Sequence, residues 1–563
     1  MNIKHLFQRN KFIVILLFVT FILRLPSLFE PYWYGDEGIY LAIGMAIKRG
    51  FLLYRDVFDN KPPLVYLVAA LCGGVQFWFK FFLTVSLLST IYVFYRFSQK
   101  VLEKEKSAKI ATICLSFFTT IRAFEGNIVN SELLILLPTV VGFYLSLPIL
   151  KLTKENKTSF SNLRLLLIGI LFSLSFLYKV PGLFDFVTLM LLLTFFILQN
   201  KLINLNKRTI ILLLGYLSLI VGTGIFFFFK GAFNQFFQSS FVQTFGYLSS
   251  WKTGTHSFSL VGLLKTDLAI KTILVTLILF CLWIKRRYSN PTVNFLTIWF
   301  IFSLYGATLS GRPYPHYLVQ IILPLSLIIG YYSQRRAKTV IALGFFFSLL
   351  LILSLVKYRF WTYTTIPYYQ NFITFILGKK NKNSYYSYFG SQVPISYKIA
   401  EIVIVNSDSN DKIFVWGNEP YLYPLTKRLP ATAYLVSYHI IDLNYYDKVA
   451  LEISKERPKI IVYNINEKKF PQLENILANY YQEIDSVGNF LIFSKLKLPQ
   501  SDGQGISIMR FAKYRLVPGF VRAEILPKGN TVWYLPKRNN ISVSPDLMIG
   551  DFPAYRQAGA KED

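Results

Sequence analysis

The stretch "YWYGDEGIYLAIGMAIKRG" (residues 32–50) follows closely on a first apolar run and sets two adjacent carboxylates, Asp36 and Glu37, ahead of a segment with few polar residues. Asp36 can cap a helix from Glu37 to about Arg49, Gly50 suits its C-terminal cap, and Lys48 and Arg49 complement the dipole in its last turn. The helix is apolar on most sides, as a helix lying in a membrane interface would be. An acid pair there is either a helix-terminal charge or the start of a chemical site.

Composition sets the environment. The 563 residues are 53% hydrophobic and 17% aromatic, with only 16% charged, and mean hydropathy is +0.42. Soluble domains carry about 25% charged residues. Apolar runs of about 17–25 residues, enough to cross ~30 Å of hydrocarbon, recur through the first 356 positions, so the chain reads as a polytopic membrane protein. Cys72, Cys114 and Cys281 all lie in apolar runs, which argues against a disulfide framework or a zinc cluster. The first run ends in Arg24-Leu25-Pro26 without a small-residue cleavage site, so it is expected to be a retained anchor.

The net charge of +30 does not point to nucleic acid, because the basic residues cluster in short loops between apolar runs. These are Lys4/Arg9/Lys11, Arg96 to Lys109, Lys151 to Arg164, Lys201/Lys207/Arg208, Lys285/Arg286/Arg287 and Arg335/Arg336/Lys338. Cytoplasmic loops carry such an excess. Spans expected near 12–29, 80–98, 109–124, 133–150, 163–178, 182–199, 209–230, 263–284, 292–309, 317–334 and 338–356 put every basic loop inside, with the N-terminus cytoplasmic. The stretch Pro63 to Phe79 is then an interfacial or re-entrant helix within a long outer loop, 30–79; a twelfth span compensated elsewhere is the rival arrangement. The other outer segments are Arg122 to Glu132, 179–182, 231–262 and 310–317.

Beyond about 357 the pattern changes. "KIFVWG" (412–417), "KIIVY" (459–463) and "NFLIFSK" (489–495) are strand-like runs, and Pro471 to Tyr481 is a helical one. The expected organisation is a transmembrane domain, 1–356, a small extracytoplasmic α/β domain, 357–497, and a tail, 498–563, with no assignable fold.

Downstream of the acid pair comes "LLYRDVFDNKPPLVYL" (52–67). Arg24-Leu25, Asp36-Glu37, Tyr40, Gly50 and Lys61-Pro62-Pro63-Leu64 together resemble the first outer loop of the GT-C polyprenyl-phosphate-dependent glycosyltransferases, nearest the protein O-mannosyltransferase and aminoarabinose lipid A transferase group. "NIVNSELLILLP" (127–138), "LYKVPGLF" (177–184), "RPYPHYLVQIILPL" (312–325) and "DKIFVWGNEPYLYPLTKRLPAT" (411–432) resemble later segments of that family in the same order.

The short loops and the lack of an endoplasmic-reticulum signal favour a bacterial plasma (inner) membrane. The resemblance implies a GT-C fold of about eleven spans plus the interfacial helix. It implies transfer of a sugar from a polyprenyl monophosphate to a hydroxyl of a lipid, glycan or protein on the outer face, with inversion. It nominates Asp36 as base, with Glu37 and Glu132 in supporting catalytic roles. A leaving lipid phosphate gains charge in the transition state and needs fixed cations; Lys61, Arg55, Lys179, Arg312 and His316 are the candidates. Some relatives carry a carboxylate where this chain has Asn60, so no metal or other cofactor is expected to be required.

Each residue also has a plainer role. Lys61 can be a solvated loop charge, and Lys179 can snorkel or pair with Asp185. Glu132 can answer a helix dipole, Arg312 and His316 can face water, and His256 can be structural or exposed. A transporter would place ionisable groups near mid-membrane in paired broken helices, which the spans do not show. A non-catalytic envelope scaffold gives no reason for an acid pair beside Lys-Pro-Pro.

Overall fold

Apolar runs become helices because lipid offers no partner for backbone N–H and C=O groups, and a helix satisfies them internally. The computed structural model describes residues 3–150, 161–200, 205–243, 267–284, 290–333 and 338–496. His256, the tail 498–563 and most of the basic residues in the four later loops lie outside the described residues.

The described chain divides into two units, Met1–Tyr385 and Tyr386–Asp563. In the first, the helices are α1 (Ile3–Leu28), α2 (Gly35–Lys48), α3 (Leu64–Leu71), α4 (Gln76–Leu102), α5 (Glu105–Thr120), α6 (Ser131–Ser146), α7 (Asn162–Tyr178), α8 (Leu183–Asn200) and α9 (Leu205–Phe229). Asp267–Ile284, Pro291–Thr308, Val319–Tyr332, Lys338–Tyr358 and Ile366–Ile376 follow. Each of the expected spans coincides with one of these helices. Among the described residues five helices are long and apolar enough to cross a membrane: Asn10–Leu28, Gln76–Leu102, Lys207–Phe229, Asp267–Ile284 and Pro315–Tyr332. Shorter apolar helices stand at Ser131–Ser146, Asn162–Tyr178, Val180–Thr194 and Gly344–Tyr358.

The stretch Pro63 to Phe79 is not one helix. It forms the eight-residue α3, a turn at Cys72–Gly74 and the first turn of α4. At 1.5 Å per residue α3 is about 12 Å long, too short to cross. It packs instead on α2. Helix α4 packs against α1, α5 and α6, and α7 against α6 and α9. Aromatic side chains fill the centre, with the Trp299 and Phe143 rings 4.3 Å apart. Outward faces stay apolar, as at Phe18, Leu214 and Phe280, the arrangement expected where the solvent is lipid.

The second unit contains a five-stranded sheet of order β2-β1-β3-β5-β4, with β1 Lys412–Trp416, β2 Leu429–Pro430, β3 Ile460–Asn464, β4 Tyr481–Val487 and β5 Phe490–Lys495. Strand β1 pairs in parallel with β2 and β3, and β5 pairs antiparallel with β3 and β4. The buried run Ile413–Trp416 lies in β1, flanked by β2 and the central strand β3. Helices Tyr446–Glu456 and Pro471–Tyr480 pack against each other.

Candidate functional site

Helix α2 starts one residue before the acid pair, and Asp36 does not cap it. The N-cap is Tyr34, in extended conformation and with no side-chain cap bond, so the expected capping bond is corrected: Asp36 lies in the first turn. There its carboxylate still answers the helix dipole, but its contacts are elsewhere. It accepts a hydrogen bond from the Tyr40 hydroxyl at 3.3 Å and stands 3.5 Å from the Lys61 ammonium. The other end of α2 closes as its sequence suggests. Gly50, at φ +92°, donates to Ile47 O and Phe51 donates to Ala46 O, a left-handed cap favouring glycine.

Lys61 is held in place by acids and rings. Its ammonium is also 3.5 Å from Asp59 and 5.0 Å from the centre of the Tyr40 ring. Asp59 is buried and fixed by the Tyr66 hydroxyl at 2.7 Å and the Asn60 N–H at 2.8 Å. Burial alone would lower the Lys61 pKa, but Asp36 and Asp59 outweigh it and hold the ammonium well above the usual lysine range. Asp36 shows the converse. Burial pushes its carboxyl up, yet the charges of Lys61, His316 and Lys179 bring it below the usual aspartate value. Asp36 is therefore ionised at neutral pH.

Glu37 faces the other way, into the protein. One carboxylate oxygen accepts the Val129 N–H at 2.6 Å, and the other lies 3.1 Å from Lys80. Burial raises its pKa above the usual glutamate value, against the pull of Lys80. Lys80 also reaches Glu30 at 3.0 Å and donates to Asn127 O at 3.0 Å. Glu30 in turn accepts from Trp33, Asn127 and Tyr368. This buried network fastens residues 30–37 to 127–129.

The third group joins α6, α7 and the 310–317 segment. Lys179, just past the end of α7, pairs with Glu132 in the first turn of α6, and its ammonium lies 4.5 Å from the Tyr317 ring centre. The His316 ring lies between two carboxylates, with Nδ1 2.6 Å from Glu125 and Nε2 3.9 Å from Glu132. Glu125 also accepts from Tyr34 at 3.0 Å and Asn130 at 2.7 Å. Asp185, the alternative partner for Lys179, instead accepts from the Trp299 indole at 2.7 Å.

Asp36, Lys61, Glu132, Lys179 and His316 thus share one electrostatic neighbourhood, with Glu37 at its inner edge. Arg55 stands apart: half exposed, it pairs with neighbouring Asp56 at 2.8 Å. Arg312 is partly buried in the 310–317 segment, where its backbone N–H points to Ser310 Oγ at 3.4 Å. Sequence reasoning missed Glu30, Asp59, Lys80 and Glu125. Lys80 and Glu125 had a faint signal, as a lysine opening an apolar span and an acid in an outer loop.

No protein-family model matches the sequence, and no curated protein matches it. Solved structures do. ArnT from Cupriavidus metallidurans bound to undecaprenyl phosphate superposes with TM-score 0.53 at 15% identity, over 86% of this chain and 98% of that one. Its apo form gives 0.52 at 14% identity, over 87% and 98%. An oligosaccharyltransferase from Archaeoglobus fulgidus, in complex with zinc and sulfate, reaches 0.40 at 13% identity, over 86% and 73%, too low to add to the comparison. Likeness over nearly the whole of ArnT, in a chain rich in apolar helices, establishes that this is a membrane protein with the GT-C fold.

Proposed function

We propose that the protein transfers a sugar from a polyprenyl monophosphate to an acceptor hydroxyl at the extracytoplasmic face of a plasma (inner) membrane, inverting the anomeric centre. The observation that carries this reading is the ionised Asp36 carboxylate 3.5 Å from the Lys61 ammonium, in a fold shared with a protein crystallised on undecaprenyl phosphate.

The chemistry runs in one displacement. The acceptor oxygen attacks the anomeric carbon as its bond to the phosphate oxygen breaks, and Asp36 takes the acceptor's proton. The departing phosphate is stabilised by Lys61, Lys179 and His316. Lys61 has three N–H donors, and its two long contacts to Asp36 and Asp59 leave donor capacity for phosphate. Glu37 orients α2 through Val129, and Glu132 holds Lys179. Arg55 and Arg312 serve as outlying cations on the donor's approach. No metal is assigned a step.

In this reading the N-terminus is cytoplasmic, residues 1–356 form the catalytic membrane domain, and residues 357–497 an outer domain. The test is to incubate the purified protein with a panel of polyprenyl-phosphate sugars and follow donor consumption. Turnover of one donor supports the reading. Inertness of the whole panel with lipid, glycan and peptide acceptors present counts against it.

A further inference from the structure

A second feature of the same helices lies away from the acid cluster. Between the end of α2, the end of α3 and the start of α4 is an open cavity of about 650 Å³. Its walls include Leu71, Val75, Trp78, Phe81 and Val85, and Lys48 is the one charged residue in its lining. Leu71 is 83% exposed and Trp78 is 55% exposed, an apolar surface that water would not tolerate.

The arrangement has a direction. Trp78, Phe81, Phe82 and Val85 follow the i, i+3, i+4, i+7 spacing of a single helix face, on a helix long and apolar enough to span. The stripe runs about 10 Å along that axis at 1.5 Å per residue. Tryptophan at its upper end suits headgroup level. At that end sits the Lys48 ammonium, which has no ion-pair or hydrogen-bond partner among the described residues. It lies 3.3 Å from where a Cβ on Gly73 would be, and Gly73 and Gly74 both have left-handed backbone, φ +69° and +70°. The turn under the ammonium therefore carries no side chain at Gly73 and Gly74.

A free cation above a glycine pair, continued by an apolar stripe down a helix long and apolar enough to span, matches a molecule with an anionic head and a hydrocarbon chain. We infer that this groove is a selective site for an anionic phospholipid, its phosphate on Lys48 and one acyl chain along Trp78, Phe81 and Val85. The site is separate from the proposed donor site. Lys48 is twelve residues along α2 from Asp36, about 18 Å at 1.5 Å per residue. It does not depend on the catalytic reading.

The test uses the full-length protein in vesicles, with Trp78 as reporter. Dibrominated phosphatidylglycerol or dibrominated phosphatidylcholine is titrated in, and the fluorescence missing from Trp78→Phe isolates the Trp78 signal. The expected result is half-quenching by the phosphatidylglycerol at about five-fold lower mole fraction, the preference one basic residue confers at a charged surface. Lys48→Arg should keep that preference and Lys48→Gln should abolish it. Equal quenching by the two lipids, or a preference that survives Lys48→Gln, overturns the inference. Displacement of the brominated lipid by stoichiometric undecaprenyl phosphate would overturn it too, and would give the groove to that lipid instead.

Discussion

The Lys80 ammonium lies 3.0 Å from Glu30 and 3.1 Å from Glu37, with none of its side chain exposed. One buried cation therefore fastens two carboxylates, and through Glu37 and the Val129 N–H it sets the position of α2 against the loop that leads into Glu132. Breaking a buried pair by removing one partner costs about 3–5 kcal/mol, because a charge is left uncompensated. Lys80→Met should accordingly lower the thermal midpoint of the detergent-purified protein markedly. Lys80→Met with Glu30→Gln removes one charge of each sign and should recover part of the loss. An unchanged midpoint in the single variant would show the network carries no stability.

Lys61 makes a prediction with a sign. Burial raises the Asp36 carboxyl, and Lys61 is the largest of the charges that bring it below the ordinary value. A depressed carboxyl is ionised above its folded pKa and loses that state as pH falls through it. Removing Lys61 leaves burial less opposed. In Lys61→Met the acid limb of the residual activity should therefore move to higher pH, while overall donor use falls about 10²-fold, the scale for losing one transition-state donor. An acid limb in its wild-type place would detach Lys61 from Asp36.

Much of this was legible in the sequence and some was not. The apolar helices, the Gly50 cap, the helix start after Pro63 and strands β1, β3 and β5 each announce themselves locally, by apolar run, glycine, proline or β-branched residues. The Asp36 hydrogen bonding was misread because the helix begins at Gly35, two residues earlier than capping by aspartate needs. The pairs Lys80–Glu37, His316–Glu125 and Lys179–Glu132 join distant segments, and nothing local marks them. Strand β4 was missed for a different reason. Among the described residues it pairs only with β5, and it carries Glu483 and Asp485, the charged character of an edge strand.

Sidedness is testable on exposed positions of the described structure. In a background with Cys72, Cys114 and Cys281 replaced by serine, a single cysteine at Arg55 should react with an impermeant maleimide added to intact cells. One at Lys104 should react only after permeabilisation. The reverse pattern would invert the arrangement and place the acid cluster in the cytoplasm.

Asp59 anchors Lys61 from below and is itself held by Tyr66. Asp59→Ala leaves a buried hydroxyl without its acceptor, a loss of about 1–3 kcal/mol. Because it also frees the Lys61 ammonium, the variant should weaken donor binding more than it slows the bound donor's turnover. Titration of donor binding alongside single-turnover rates separates the two effects, and a purely rate-based loss would argue against an anchoring role.

The central claim is that the Asp36 carboxylate takes a proton, and Asp36→Asn tests it most directly. Asparagine preserves size and can still accept from Tyr40, but it cannot act as a base. Single-turnover transfer from a pre-bound polyprenyl-phosphate sugar should fall by about 10²–10⁴-fold. Donor binding, resting on Lys61, Lys179 and His316, should survive, and Glu37→Gln should cost less. A folded Asp36→Asn protein that transfers sugar at the wild-type rate would contradict the account.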